Sequence, residues 1–362
     1  MFLSQSEIKK FLNSGCLISS PSSDEITIGW GSVERTQSSL KALQEKRISI
    51  YAPDFFLEDQ APWWVFENFV SCSRAELLEA LKSLVQSFCP IQWSQVDFDS
   101  FQETFYDIKK KLKEGLLKKA VPLVFQTAQF SIQNMKPLLI SHLLKNTKGV
   151  PVSLYGVWNA EEGILGATPE TLFQAQRRGS LWTMALAGTR TSDDSRVSLL
   201  QDPKELEEHR IVIEGICSSF QSDPQWGKIQ VGQTKILKLP TLSHLMTPIE
   251  IQIPEDKTLI FEEGVRCLHP TPALGAFPKN EGMKWLQELN KKRDRCRFGA
   301  PFGVLKNFKE SLCLVGIRNL QWFEDEVSLI VGCGIIEASH LDQEWKELQS
   351  KQSAVKALLG LS

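Results

Sequence analysis

The sequence predicts an α+β chain in which mostly antiparallel sheets carry helices on their outer faces. Two observations lead there. Strand-like runs follow one another in pairs, as in SLCLVGIRNLQW and VSLIVGCGII near the C-terminus, and such neighbours favour antiparallel pairing. Between the pairs stand amphipathic helical patterns, each with an apolar face able to cover a sheet. A chain of 362 residues, 42% of them hydrophobic and 23% charged, can bury a substantial core as one large domain or as two to three small ones.

Taken in order, ITIGW (26–30), RISIYAP (47–53) and WWVFENFV (63–70) read as strands, and SRAELLEALKSLVQSF as an amphipathic helix. From about residue 98 a helical pattern, DSFQETFYDIKKKLKEG, leads into the strand-like AVPLVFQTAQFS. VSLYGVW, ETLFQAQ and SLWTMALAG follow as strands. DPKELEEHRIVIEGICSSF predicts a helix over 203–220, with Asp202 before Pro203 and Glu205 three residues past Asp202 as its start signal. KIQVGQTKILKL reads as strands and 281–293 as a helix; the two paired runs and a closing helix complete the chain. No repeat of solenoid length and no low-complexity tract interrupts this order.

Forty-one basic against forty-three acidic residues give a net charge of −2, which offers no electrostatic footprint for nucleic acid or a membrane surface. The first residues, MFLSQSEIKKFLNSG, lack the long apolar region and small-residue cleavage pattern of a secretory signal, and no stretch reaches the ~18–20 uncharged apolar residues of a spanning helix. The expectation is a cytoplasmic protein working on a small molecule. Its eight cysteines (16, 72, 89, 217, 267, 296, 313, 333) form no CxxC pair and read as reduced, buried thiols.

Most catalytic signatures are missing. There is no GxSxG elbow and no P-loop, GCGIIE lacks the third glycine of a dinucleotide fingerprint, and the five histidines show no metal-ligand spacing. What remains is carboxylates. In GCGIIEASHLDQEWKELQSK, Glu344, Glu347 and Lys351 fall on one narrow helical stripe at about 100° per residue, continued by Val355 and Leu358. Charges turned inward are costly unless they meet a metal, a ligand or each other. Acid-rich, histidine-poor surroundings suit a hard cation such as Mg²⁺. The spacing does not choose between a metal site and a buried ion-pair network.

Glu208 lies near the apolar arc of its own helix, beside His209. Three further stretches set small residues beside polar ones. GILGATPETLF presents Glu170 after a Thr-Pro turn, MALAGTR puts Gly188 at a strand end, and LVGIRNL carries Arg318 inside a strand-like apolar run. Together they point to an anionic small molecule.

Eight motifs in order, GATPETLF, MALAGTR, DPKELEEHRIVIE, LSHLMTPIE, LHPTPALGAFPKNEG, RFGAPFG, LVGIRNL and GCGIIEASHLDQEWKELQSK, resemble those of the chorismate-utilising enzymes. That family comprises isochorismate synthases, salicylate synthases and the large subunits of anthranilate and aminodeoxychorismate synthases. The resemblance runs from about Lys119 to the C-terminus. It implies a single large α/β sandwich, with residues 1–98 as an N-terminal part carrying no matching motif and 99–362 as the chorismate-binding catalytic region, the two forming one structural domain.

By the same resemblance, Glu208 and Glu347 match the pair that holds Mg²⁺ against the ring carboxylate of chorismate, and Glu344 is a supporting acid. Lys351 and Arg318 match cationic partners of substrate carboxylates, with Gly188, Gly332 and Gly334 offering backbone amides. His244 lies close to the ring, Ala273 and Leu274 help line the pocket, and Phe298 stands where many relatives have tyrosine. Lys119 matches the lysine of the water-using members and Ala187 stands where many aminodeoxychorismate synthases have a nucleophilic lysine. This combination implies an isochorismate or salicylate synthase needing no glutaminase subunit.

In the implied reaction Lys119 is the base that activates water for attack at C2, and Glu170 is the acid that protonates the departing C4 hydroxyl. Such an acid needs its proton affinity raised in a closed site. Two departures stand out. The strand after the lysine reads KAVPLV, where Pro122 removes a ladder donor and Val124 replaces the usual arginine, which predicts an edge strand or a shifted lysine with Lys118 as substitute base. The alternatives implied are an ammonia-using synthase or a non-catalytic chorismate-binding protein.

Overall fold

The computed structural model describes residues 3–40, 44–45, 47–86, 90–176, 179–191, 198–221, 226–254, 260–307 and 310–361. Among the described residues sixteen strands join in one sheet whose pairings are antiparallel, and two more form a separate two-stranded ladder. One end of the path holds Leu242–Gln252, Ser180–Thr191, Thr171–Gln176, Glu310–Val315 and Pro301–Asn307. Next come Ser49–Tyr51, Trp63–Ser73, Glu25–Thr36 and Gly15–Ile18, so strands from the first hundred residues occupy the middle of the path. Ser153–Trp158, Glu162–Thr168, Asn319–Phe323, Glu326–Gly332 and Leu123–Gln129 continue to the other end.

The buried side chains sort into layers. One cluster packs the helices Gln5–Asn13, Phe98–Lys113, Ile132–Asn146 and Leu341–Leu359 against strands, through residues such as Phe11, Phe101, Leu139 and Leu348. A second packs Pro203–Gln221 and Phe261–Leu268 against Thr171–Gln176 and Ser180–Thr191, through Val212, Phe261, Phe173 and Leu181. A third contains no helical residue: Cys16, Ile50, Phe66, Tyr155, Phe302 and Leu314 meet where strands face strands. Helices outside and sheet against sheet inside is the expected α/β sandwich.

Several elements depart from expectation. The helix read over 73–88 spans Arg74–Leu81, opened by a Ser73–Glu76 capping box; a short 3₁₀ turn follows and Val85 is already extended. SLCLVGIRNLQW is two strands with a joint at 316–318. KIQVGQTKILKL does form strands as expected, the short runs Ile229–Val231 and Lys235–Lys238, and both pair with Leu242–Gln252. Helices Gln5–Asn13, Ile132–Asn146 and Phe261–Leu268 were not anticipated. Pro122 falls where the chain leaves a two-stranded ladder, Lys119–Ala120 with Ala276–Phe277, and enters Leu123–Gln129 at the end of the large sheet. The missing donor thus sits at a switch between sheets and before an end strand.

Of the seven described cysteines, Cys296 is exposed and Cys217 and Cys267 are half-buried, so the expectation of burial fails for these three; Cys89 lies outside the described residues. Cys296 follows the Lys279–Lys292 helix in a turn with φ +48°, which presents it outward. Among the described residues no helix is long and apolar enough to cross a membrane.

Candidate active site

Two helices bring their N-terminal turns to one place. Pro203–Gln221 starts as predicted, with Asp202 Oδ1 accepting from the backbone N–H groups of Lys204 (3.0 Å) and Glu205 (3.2 Å). Leu341–Leu359 turns Glu344, Leu348 and Val355 inward and leaves Lys346, Gln349 and Ser353 outside. Glu344 is 1% exposed. Inward acids of this kind require partners, and each has a lysine. Glu208 Oε1 lies 2.9 Å from Lys119 Nζ, Glu347 Oε1 2.5 Å from Lys351 Nζ, and Glu344 Oε1 2.9 Å from Lys204 Nζ.

Lys204 also reaches Glu205 at 3.0 Å and Glu208 at 3.5 Å. Burial works against its ammonium, but Glu208, Glu344, Glu205 and Glu347 outweigh burial and hold it well above the usual lysine range. For Glu208, burial pushes upward and the Lys119 and Lys204 charges more than offset it, leaving a carboxylate that stays ionised. Burial keeps Glu205 and Glu344 above the ordinary range despite Lys204. The Glu344–Lys204 approach is an ion contact without directed hydrogen-bond geometry, and Glu344 Oε2 is buried without a partner.

A bulge positions the neighbouring wall. The register of Ser180–Thr191 against Leu242–Gln252 slips between Ala187 and Thr189, and the intervening Gly188 has φ +73°, a conformation side chains resist. Glu205 takes up the freed amide, accepting from Thr189 N at 2.8 Å. Thr189 Oγ1 meets His244 Nδ1 at 3.1 Å, leaving His244 Nε2 buried and unpartnered. Burial, reinforced by the Arg318 and Lys351 charges, holds His244 well below the usual histidine range, so it is neutral near pH 7.

Arg318 is not inside a strand. It occupies the joint between Glu310–Val315 and Asn319–Phe323 with φ +57°, a left-handed conformation that costs a non-glycine residue about 1–3 kcal/mol. Neighbours fix the joint: Tyr155 OH donates to Ile317 O (2.8 Å), and Asn319 Nδ2 donates to Tyr155 OH (2.7 Å) and Gly316 O (2.8 Å). Burial pulls Arg318 down to about 10, with Glu347 and Glu170 pulling back, so the guanidinium stays charged. Glu170, beside the same joint, is buried. Desolvation pushes it up to about 8 against the opposing pull of Lys119, Lys351 and Arg318, so it is mostly protonated at neutral pH.

These groups surround a pocket of about 60 Å³, space for a few waters only. Lys119, Glu170, Glu208 and His244 line it, as do Arg318 and Lys351; Ala273, Leu274 and Phe298 form the apolar part, and Ala187 lies beside Thr189. Gly332 and Gly334 are in the wall, and Gly332 O accepts from Lys351 Nζ at 2.7 Å. Gly188, Glu344 and Glu347 are not in the lining: Gly188 is the bulge residue itself, packed on Glu205, Glu347 pairs with the lining Lys351, and Glu344 pairs with Lys204, which is outside the lining too. Lys118 is outside too, half-exposed and paired with Glu214 at 2.8 Å.

The sequence reading missed Lys204, Glu205 and Thr189. Lys204 carried one available signal, its i,i+4 spacing to Glu208, but that pattern usually marks a weak surface pair. Among the described residues no three carboxylates, histidines or thiols converge as a ready-made cage for a metal. Mg²⁺ does not need one, since it typically takes one or two carboxylates and completes its shell with water and substrate oxygens. Ionised Glu208 and the buried, half-satisfied Glu344 suit such a cation.

Residues 64–360 match the family described as chorismate binding enzyme. The salicylate biosynthesis isochorismate synthase of Pseudomonas aeruginosa is 30% identical over 203 residues, 54% of this chain and 41% of that protein. Isochorismate synthase MenF of Pasteurella multocida is 30% identical over 271 residues, 69% of this chain and 59% of its own length. The chain thus spans about half the length of the curated relatives it matches. Among solved structures, MenF, the menaquinone-specific isochorismate synthase from Escherichia coli, superposes with TM-score 0.78 at 18% identity, covering 99% of this chain and 91% of that one. Anthranilate synthase component I from Streptococcus pneumoniae gives 0.68 at 15%, covering 96% and 92%. These likenesses establish a shared fold, and the match over 64–360 establishes more: the chain belongs to the chorismate binding enzyme family.

Proposed function

We propose that the chain is an isochorismate synthase, an isomerase that adds water at C2 of chorismate as the C4 hydroxyl leaves. The observation that carries this reading is the placement of a lysine and a protonated glutamic acid in one pocket with two further cations. Lys119 takes the proton from water, and Glu170, pushed up to about 8, gives one to the departing hydroxyl. One proton is accepted and one donated, so the enzyme returns to its starting charge after Lys119 and Glu170 exchange through solvent. Lys119 Nζ is engaged with Glu208 here as an ammonium, and its base role requires that contact to open and the extra proton to leave for solvent before water is activated.

Arg318 and Lys351 bind the substrate carboxylates, neutral His244 faces the ring, and Ala273, Leu274 and Phe298 exclude water from the apolar side. Glu208 and Glu347 would hold Mg²⁺, with Glu344 in support. Bound there, the metal supplies charge compensation and orientation for the ring carboxylate. Ala187 lacks a nucleophilic amine, and the names of the relatives point to isochorismate rather than salicylate. Because water is the nucleophile, no glutaminase subunit is needed. The reading treats 1–98 and 99–362 as one unit, supported by the N-terminal strands in the middle of the sheet, and places the protein in the cytoplasm.

Purified protein incubated with chorismate and Mg²⁺ should yield isochorismate without salicylate or pyruvate, and Lys119→Ala should abolish turnover. Salicylate plus pyruvate would make it a salicylate synthase. Product only with ammonia would revive the ammonia-using reading, and binding without turnover by wild type would leave a chorismate-binding protein.

A further inference from the structure

Lys204 has no place in the reaction above, yet it is the most heavily engaged cation of the site. It stands in the first turn of Pro203–Gln221, where the helix dipole favours acids over bases. Its side chain escapes that disadvantage by reaching across to the other helix. Nζ lies 2.9 Å from Glu344 Oε1, 3.0 Å from Glu205 Oε1 and 3.5 Å from Glu208 Oε2, so one ammonium serves three carboxylates from two helices. The side chain is 17% exposed, which leaves it a route toward solvent.

Of those three acids, Glu208 is assigned above to the metal and Glu344 to its support. A divalent cation on Glu208 cannot share it with an ammonium at no cost, because like charges on one carboxylate repel in a poorly solvated place. A lysine differs from a metal in being tethered to a flexible stem with three rotatable donors. It can hold the acids together and still withdraw.

We propose that Lys204 is the built-in counter-cation of this acid cluster and competes with Mg²⁺ for Glu208 and Glu344. It keeps the two helix starts together and sets a low affinity for the metal alone. A substrate carboxylate, which brings negative charge to the same place, then favours the exchange. This inference rests on the metal reading given above and adds to it a residue that opposes the metal.

The test measures binding of Mg²⁺ alone to the full chain, without chorismate, by calorimetric titration of wild type and Lys204→Met. Thermal unfolding is followed in parallel, in chelator and in excess Mg²⁺. The expected result is affinity at least tenfold tighter in the variant, a lower melting midpoint in chelator, and a larger upward shift on adding Mg²⁺ than wild type shows. Folding of the variant only in the presence of Mg²⁺ would be the same result in stronger form. If the variant folds under neither condition, Lys204→Gln carries the comparison, with a smaller gain in the same direction. Equal or weaker Mg²⁺ binding by the folded variant would overturn the competition while leaving the metal reading intact. Absence of Mg²⁺ binding in both proteins, with or without chorismate, would overturn the metal reading itself and this inference with it.

Discussion

Replacing Gly334 by alanine should cost activity as well as stability, by comparable free energies. A Cβ at this position would lie 2.1 Å from Glu208 Oε1, 2.5 Å from Lys119 Cε and 2.9 Å from Glu208 Cδ, whereas real Cβ atoms stay beyond about 3.0 Å from such neighbours. The Lys119–Glu208 pair must therefore retreat by about 1 Å. Neither side chain can swing into water, since their exposures are 1% and 8%. Overpacking of this kind destabilises by about 1–3 kcal/mol. A 1 Å misplacement of a reacting group costs on the order of 10²-fold in rate, about 2.7 kcal/mol of barrier. The assay is steady-state turnover of chorismate at saturating Mg²⁺ with products separated by chromatography, alongside thermal unfolding. A folded Gly334→Ala protein should show kcat lowered roughly a hundredfold, with a smaller change in KM because Arg318 and Lys351 are not among the nearest atoms. A kcat within a few fold of wild type would refute the idea that turnover depends on where Lys119 and Glu208 are held.

Three further outcomes follow from the same geometry. On the proposed function Glu170 acts protonated, so kcat/KM should hold below about pH 8 and fall above it; Glu170→Gln should remove that limb and lower kcat about 10²–10⁴-fold. Because the folded value lies above the unfolded 4.5, the associated stability is complete below about pH 4.5 and lost as pH rises through about 8. Denaturant titrations of wild type should show that decline and those of Glu170→Gln should be flatter; identical slopes would reject the assignment. Arg318→Lys keeps the charge but loses the planar fork, and should raise KM about tenfold or more with kcat less affected. An unchanged KM would remove Arg318 from substrate binding. Asn319→Ala removes two buried hydrogen bonds, while Gly316 O keeps Gly299 N and Tyr155 OH keeps Ile317 O; at about 0.5–1.5 kcal/mol per bond this should cost about 1–3 kcal/mol and raise KM by loosening the joint that aims Arg318. Chemical unfolding at the wild-type midpoint would show that the joint does not depend on it.

The periodicity of the closing helix made its inward face legible, and the structure buries Glu344 on that face with Leu348 and Val355. Periodicity describes one element at a time, however, and what an inward charge meets depends on a second element. Lys204 and Glu344 are 140 positions apart in sequence and meet because two helix starts converge. Arg318 illustrates a different limit: alternating apolar residues around it read as one strand, and nothing in the pattern announces a positive φ held by Tyr155 and Asn319. The motif LSHLMTPIE was visible as a motif, yet it lies in Leu242–Gln252, the long strand on which the bulge at Gly188 is registered. The central position of the N-terminal strands was equally hidden, since period-2 patterns identify strands but not their partners.

The pairing of every proposed metal carboxylate with a lysine explains why so charged a site can form with so small a pocket. Breaking a buried ion pair by removing one partner costs roughly 3–5 kcal/mol, so each acid would be a heavy burden on folding if it waited for a ligand to neutralise it. Here Lys204 stands against Glu344 where a cation would serve, and Glu347 stands against Lys351 where a substrate carboxylate would serve. On the proposed function, ligand binding is then an exchange of partners rather than a filling of open space. Substrate carboxylates would take Lys351 from Glu347, freeing that acid to help hold the metal, and Lys119 would give up its contact with Glu208. Such an exchange couples the two ligands in both directions: the affinity each gains from the other must be equal. Measured separately, Mg²⁺ binding with and without a chorismate analogue, and analogue binding with and without Mg²⁺, should give the same ratio, and that ratio should shrink in Lys204→Met.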